Sequence, residues 1–134
     1  MFYVLVSGKR DFTNYERFCK VLDESLSGIT DDIEIVEGGA SGTDTLAKRY
    51  ALERGLSCRE FAALWDVNGR AAGPIRNSEM VTFVSGHECK AVFFWDGKSR
   101  GTGDCLQKAR RAGINCEVYS TNDHSRNFEL QCDR

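Results

Sequence analysis

The sequence has no apolar run that approaches the roughly 20 residues of a membrane-spanning helix. Its apolar start, MFYVLV, has no basic residues before it, so we expect a first strand there and not a signal peptide. The formal net charge of −2 argues against binding of nucleic acid over a broad surface. These absences predict a cytoplasmic protein with no membrane partner and no nucleic-acid partner.

Residues that bind metals or act as nucleophiles are few and scattered. The six cysteines include no Cys-x-x-Cys pair, and there are only two histidines. His87 and Cys89 lie close together, but no second pair of ligands accompanies them. We therefore expect no metal site and no bound cofactor. Since the chain shows no export signal, its cysteines are expected to stay reduced.

Short apolar runs alternate with helical patterns along the chain. The predicted strands cover residues 2–6, 33–37, 57–63, 91–95 and 116–120. The predicted helices run from Thr13 to Leu26, from Thr43 to Arg54, from Pro74 to Val84 and from the end of segment 96–104 to Ala112. Thr13 and Glu16 predict a capping box at the start of the first helix.

This alternation predicts an α/β fold, a Rossmann-like three-layer sandwich with a mostly parallel central sheet of about five strands. One domain should cover residues 1–120, and the polar tail, 121–134, could add an edge strand. In such sheets ligands bind beyond the carboxyl ends of the strands. That rule selects the segments 7–12, 38–44, 65–77 and 96–104, which are also rich in glycine and polar residues.

The segment EGGASGTD contains Gly38, Gly39 and Gly42 and leads into a helix at Thr43 and Asp44. Glycine lets backbone amides approach a ligand, and a helix start offers free N–H groups and partial positive charge. The loop can therefore cradle a phosphate. It matches neither G-x-G-x-x-G nor a Walker P-loop. Taken alone, a tight turn capped by Thr43 or Asp44 is an equally good interpretation.

A second segment, DGKSRGTGD, repeats this design after another apolar strand. Ser99 and Thr102 can donate hydrogen bonds beside Gly101. Lys98 and Arg100 can add positive charge, although a solvent-exposed role is the simpler one for each. Two such loops at one edge favour a phosphate or diphosphate site over two coincidental turns.

The segment GPIRN places Arg76 and Asn77 in the first turn of a helix, where an arginine is unfavourable for the helix dipole. Such a local conflict indicates a functional position. Arg76 can bind a phosphate or carboxylate through two parallel hydrogen bonds. The alternative is a salt bridge to Asp66 or Glu79. Trp65 could stack on a base, but packing in a core or lid is the commoner role of tryptophan.

The first loop, SGKRDF, follows the first strand and supplies Ser7, Gly8 and Arg10 to the same edge. Asp11 is expected to hold Arg10 or Arg76 in place. The loop therefore adds a further cation to the predicted site.

With these residues assembled, the chain resembles the YspA-like branch of the SLOG superfamily. The resemblance rests on SGKRDF, GGASGTD, WDVNGRAAGPIRN and FWDGKSRGT in this order, and it covers roughly residues 2 to 119. It implies a Rossmann-like fold and a site for a nucleotide or a nucleotide-derived ligand such as an ADP-ribose-type molecule. Many such proteins occur in bacteria and their phages. The ligand-site candidates that carry over are Ser7, Gly8, Arg10, Gly38, Gly39, Gly42, Asp44, Arg76, Asn77, Gly101 and Thr102.

Three functions follow from these residues and the resemblance. The first is binding of a nucleotide-type ligand, for sensing or sequestration, by the two glycine loops. The second is cleavage of the N-glycosidic bond of a nucleoside monophosphate, as in the related Lonely Guy enzymes. There Asp104 would act on the ribose or on water, and Arg76 would hold the phosphate. The third is binding of single-stranded DNA, as in the DNA-processing relatives, against which the acidic balance counts.

Relatives in the superfamily commonly pair through helices. The resemblance therefore implies a homodimer or a homotetramer.

Overall fold

The computed structural model describes residues 1–121 and 129–133. In this part of the chain six strands form one sheet in the order β3-β2-β1-β4-β5-β6. The strands are β1 (Phe2–Gly8), β2 (Ile33–Glu37), β3 (Ser57–Glu60), β4 (Cys89–Trp95), β5 (Cys116–Ser120) and β6 (Glu129–Asp133). Strands β1 to β5 are parallel, and β6 pairs antiparallel with β5 at one edge.

Helices connect the parallel strands. They are α1 (Tyr15–Leu26), α2 (Thr43–Arg54), α3 (Trp65–Asn68), α4 (Ala72–Ser85) and α5 (Arg100–Arg111), with one turn of 3-10 helix at Gly69–Ala71. The predicted α/β fold with a mostly parallel sheet is confirmed. The prediction for the tail falls partly on residues 122–128 and 134, which lie outside the described residues.

The central strands β1 and β4 each have a fully buried apolar stretch, 4–6 and 91–94, because helices cover the sheet on both faces. Val4 and Val6 belong to a core with Phe18 of α1, whereas Leu5 belongs to a second core with Met80 of α4. Alternate residues of β1 thus enter opposite cores, as the period of a strand requires. The result is three layers, with α1 and α2 on one face and α4 and α5 on the other.

The predicted capping box at the start of α1 is wrong. Asn14 is the N-cap, and its Oδ1 accepts a hydrogen bond from the Arg17 amide at 3.1 Å. The helix begins at Tyr15, so the residue with the short polar side chain next to it caps the helix, and not Thr13.

Two predicted loops contain more helix than expected. In segment 65–77, α3 closes a turn through the Asn68 amide and the Leu64 carbonyl at 2.8 Å, and α4 begins two residues before Pro74. In segment 96–104, the Asp96 carboxylate accepts from the amides of Lys98 and Ser99, both at 2.8 Å. Gly97, with φ 81°, lies in this turn, which leads the chain into α5 at once. Gly101 and Gly103, expected in a loop, therefore lie in the first turn of a helix.

Candidate functional site

The first loop, α2, α4 and α5 meet at one cavity of about 390 Å³ beyond the carboxyl ends of β1 and β4. The predicted site residues that line it are Ser7, Gly8, Arg10, Asp44, Arg76, Asn77, Ser99, Gly101 and Thr102. Four separate segments of sequence therefore converge, as the edge rule for parallel sheets requires.

The start of α5 forms one wall of this cavity. Ser99 is the N-cap residue, and the Gly103 amide donates to its carbonyl at 3.1 Å, which is the first bond of the helix. The amides of Arg100, Gly101 and Thr102 precede that bond, and these three residues line the cavity. A helix start with cavity-lining amides is suited to an anion.

Charge in the cavity differs in sign from the charge of the chain. Among the described residues that line it, four are cations and two are carboxylates: Lys9, Arg10, Arg76 and Arg100, and Asp11 and Asp44. The whole chain, in contrast, has a net charge of −2. Lys9 lies 3.4 Å from Asp11, so the expectation that Asp11 holds an arginine is wrong. The cavity is thus locally cationic and suited to a negatively charged ligand.

Arg76 is buried and connects two walls of the site. Its Nη1 donates to the Gly38 carbonyl, and its Nε donates to Asn77 Oδ1 at 3.0 Å. Asn77 Nδ2 in turn donates to the Gly101 carbonyl at 3.1 Å. Because α4 begins at Ala72, Arg76 and Asn77 lie in its second turn, so the predicted place in the first turn, and the conflict with the helix dipole there, are wrong. Together with Asn77, Arg76 joins the glycine loop to α5.

Asp104 is placed apart from the cavity. Its Oδ2 accepts from Asn77 Nδ2 at 3.0 Å and from Lys108 Nζ at 2.9 Å. Within residues 1–121 it is not among the residues that line the cavity. Asn77 stands between the two groups, since it accepts a hydrogen bond from Arg76 and donates one to Asp104. Arg76 and Asp104 therefore do not face a ligand from the same surface.

Two amides of the glycine loop donate hydrogen bonds to the protein's own carboxyl groups. The Gly39 amide donates to Glu37 Oε1 at 2.6 Å, and the Ala40 amide donates to Asp44 Oδ2 at 3.1 Å. Gly38 and Gly39 do not line the first cavity but a second one of about 310 Å³. The loop does cradle negative charge, as its glycines indicate, but that charge belongs to Glu37 and Asp44.

Gly42 and Thr43 hold the first loop against the start of α2. The hydroxyl and the amide of Thr43 donate to the Lys9 carbonyl at 2.9 and 3.2 Å. A Cβ atom on Gly42 would overlap the Arg10 carbonyl group. The first amide of α2 is therefore used by a protein carbonyl, and these two residues position the first loop beside the cavity.

Glu37 is a fully buried carboxyl group that the sequence analysis missed. Burial first, and then the nearby Asp44 and Glu60, raise its pKa to about 7, although the Gly39 amide opposes the shift. Burial also raises the pKa of Asp44 to about 6, against the amides of Ala40 and Gly38 and the cation of Arg76. The signal in the sequence was an acid at the end of an apolar strand, directly before glycines.

These raised pKa values predict that Glu37 and Asp44 contribute less to stability as pH rises. Between about pH 4 and 7 these two groups bind more protons in the folded state than in the unfolded state, so their contribution to the free energy of unfolding falls with pH. A rise of the Glu37 pKa from 4.5 to about 7 corresponds to a change of roughly 3 kcal/mol in the free energy of unfolding. We expect Glu37→Gln, which cannot ionise, to be more stable than wild type at pH 8. Its free energy of unfolding should also change less with pH.

Urea unfolding followed by circular dichroism at pH 5, 6, 7 and 8 measures this effect. Ile35→Val is the control because it removes one buried carbon atom from β2 and changes no ionisable group. It should keep the wild-type slope. The prediction is contradicted if the free energy of unfolding of Glu37→Gln falls with pH as steeply as that of wild type.

No cysteine is among the described residues that line the cavity. Burial and the neighbouring Glu37 raise the pKa of the Cys58 thiol to about 11, which keeps it protonated. In residues 1–121 and 129–133 no group of three His, Cys, Asp or Glu residues could hold a metal ion. Over the same residues, no helix is long and apolar enough to cross a bilayer.

Comparison with known proteins supports the resemblance to the SLOG superfamily. The sequence model of the YspA, cpYpsA-related SLOG family matches residues 2–67, which include the first loop and the glycine loop. The Gene 61 protein of Mycobacterium phage D29 is 33% identical over 116 residues, covering 83% of this chain and 90% of that protein. The chain belongs to the YspA, cpYpsA-related SLOG family.

Proposed function

We propose that this protein binds a nucleotide or a nucleotide-derived ligand, with a phosphate group at the start of α5. Membership of the SLOG family suggests a nucleotide-related function. The observation that carries the proposal is the cationic cavity, lined by the first residues of α5, in a chain of net negative charge. Its volume of about 390 Å³ is in the range of small-molecule sites.

Each wall of the cavity has a role in this proposal. The first amides of α5 and the Thr102 hydroxyl donate to phosphate oxygens, and Arg10 and Arg100 supply charge. Asp44 can accept hydrogen bonds from ribose hydroxyl groups. AMP, ADP and ADP-ribose are the members of this ligand class to test first.

Binding is proposed in preference to the other two functions. The Asp104 carboxylate, which N-glycosidic cleavage would require, is engaged by Asn77 and Lys108 outside the cavity. Binding of single-stranded DNA would require a basic groove that follows the backbone, whereas the cations here converge on a cavity.

Gly101→Leu tests the proposal without disturbing the fold. A Cβ atom on Gly101 meets no atom within 4 Å, and the residue lines the cavity. Leucine is also a better helix former than glycine, so stability should be retained or raised by up to about 1 kcal/mol. The added side chain should obstruct the amides of α5 and weaken nucleotide binding by about tenfold or more.

The measurements are thermal shift and calorimetry with AMP, ADP and ADP-ribose. Gly28→Leu is the matched control because its Cβ also meets nothing within 4 Å and it does not line the cavity. It should bind like wild type. The proposal fails if no phosphorylated nucleoside binds wild type, or if folded Gly101→Leu binds as tightly as wild type does.

A further inference from the structure

A second cavity adjoins the first one. It has a volume of about 310 Å³ and lies between the glycine loop and the segment that leads into α3. Its own walls include Gly38, Gly39, Ala62, Ala63 and Trp65, and it shares Arg10, Ala40 and Arg76 with the first cavity. One ligand can therefore reach both cavities across the small side chain of Ala40.

The two cavities differ in chemistry. The first has four cations and the start of α5. The second combines two glycines, three alanines and an indole ring with the guanidinium groups of Arg10 and Arg76 and the hydroxyl of Ser41. An indole ring beside small side chains and guanidinium groups can accept a planar aromatic group with polar edges, whereas the first cavity accepts an anion.

Trp65 is not used for packing in either core. Its side chain remains 48% exposed, and it is absent from both core clusters. One edge of the ring lies on α4, since a Cβ atom on Gly73 would be 3.3 Å from Trp65 Cη2. The Arg10 guanidinium lies 5.5 Å from the ring centroid. The indole is thus held beside the second cavity, together with a cation that lines both cavities.

We infer that the second cavity is the nucleobase subsite of the ligand, with Trp65 as its stacking surface. This inference rests on the proposed function, because it requires the phosphate of the same ligand to lie at the start of α5. The order along the ligand is phosphate in the first cavity, then ribose beside Ala40 and Asp44, then the base between the glycine loop and Trp65. A base bound in this way is retained by its aromatic face, so affinity comes from stacking.

Calorimetry with AMP, GMP and CMP, each compared with ribose 5-phosphate, tests the subsite. Wild type should bind at least one nucleotide about tenfold more tightly than ribose 5-phosphate, since base stacking on an aromatic side chain contributes that much or more. Trp65→Ala should abolish most of this advantage and leave the affinity for ribose 5-phosphate unchanged. Trp65→Phe should restore part of it.

Val67→Ala is the matched control. Val67 belongs to the same short helix, is 77% exposed and lines neither cavity, so its replacement should change none of these affinities. If nucleotides keep their full advantage in Trp65→Ala, or have none in wild type, the subsite is wrong while phosphate binding stands. If neither the nucleotides nor ribose 5-phosphate bind wild type, the proposed function fails as well.

Discussion

Replacing Gly42 with alanine is expected to destabilise the protein by more than about 3 kcal/mol. Two costs combine at this position. Gly42 has φ 70° and ψ −120°, a backbone conformation that residues with a Cβ atom rarely adopt. A Cβ atom would also overlap the Arg10 carbonyl group and lie 2.7 Å from the Lys9 carbonyl oxygen. Both neighbours are backbone atoms, so a change of rotamer cannot relieve the overlap.

Gly55→Ala measures the cost of a positive φ in the left-handed region, at ψ 29°, without an overlap. Gly55 ends the same helix with φ 67°, but a Cβ atom there meets nothing within 4 Å. Only the conformational cost remains, about 1 kcal/mol. Chemical denaturation of the two variants under one condition gives the difference. Equal losses of stability would show that the contact between Gly42 and the first loop contributes nothing.

The elements that the sequence predicted best are those with strong signals at both ends. Strand β2 and helix α2 have the predicted bounds because apolar residues define them, a glycine follows the strand, and glycines stand at both ends of the helix. Helix α5 begins earlier than predicted because Gly101 and Gly103 read as loop residues. The Asp96 carboxylate, which turns the chain into the helix, acts through contacts that no periodicity reveals.

The position of the candidate site was predictable from the sequence. Which of its residues line the cavity and which contact only other parts of the protein was not. The rule that loops at the carboxyl edge converge is a property of topology, so it placed Arg76 and Thr102 in one cavity. The partners of the glycine loop depend on long-range contacts, such as the Lys9 carbonyl that accepts from Thr43. Glu37 was missed because its burial is set by neighbouring elements and not by its own segment.

Arg76→Lys is expected to weaken nucleotide binding by about 10- to 100-fold, because the variant keeps the charge and loses the fork of donors. Arg76 lines both cavities, and its guanidinium already holds the Gly38 carbonyl and Asn77 Oδ1. The donors of an ammonium group all lie on one nitrogen atom, so lysine does not reproduce the separate contacts of Nε and Nη1 and the further N–H groups that face a ligand. The wall between the two cavities should therefore lose its alignment even though the charge remains.

Salt dependence distinguishes this role from simple charge attraction. Arg100 is an exposed cation of the same cavity, so the loss of affinity in Arg100→Gln should shrink as salt screens its field. The loss in Arg76→Lys should persist, because a buried donor acts at hydrogen-bond distance and is screened much less. Calorimetry with AMP at low and high salt compares the two variants. If Arg76→Lys binds AMP as tightly as wild type at low salt, Arg76 acts only as a charge, and the bridge between glycine loop and α4 has no part in binding.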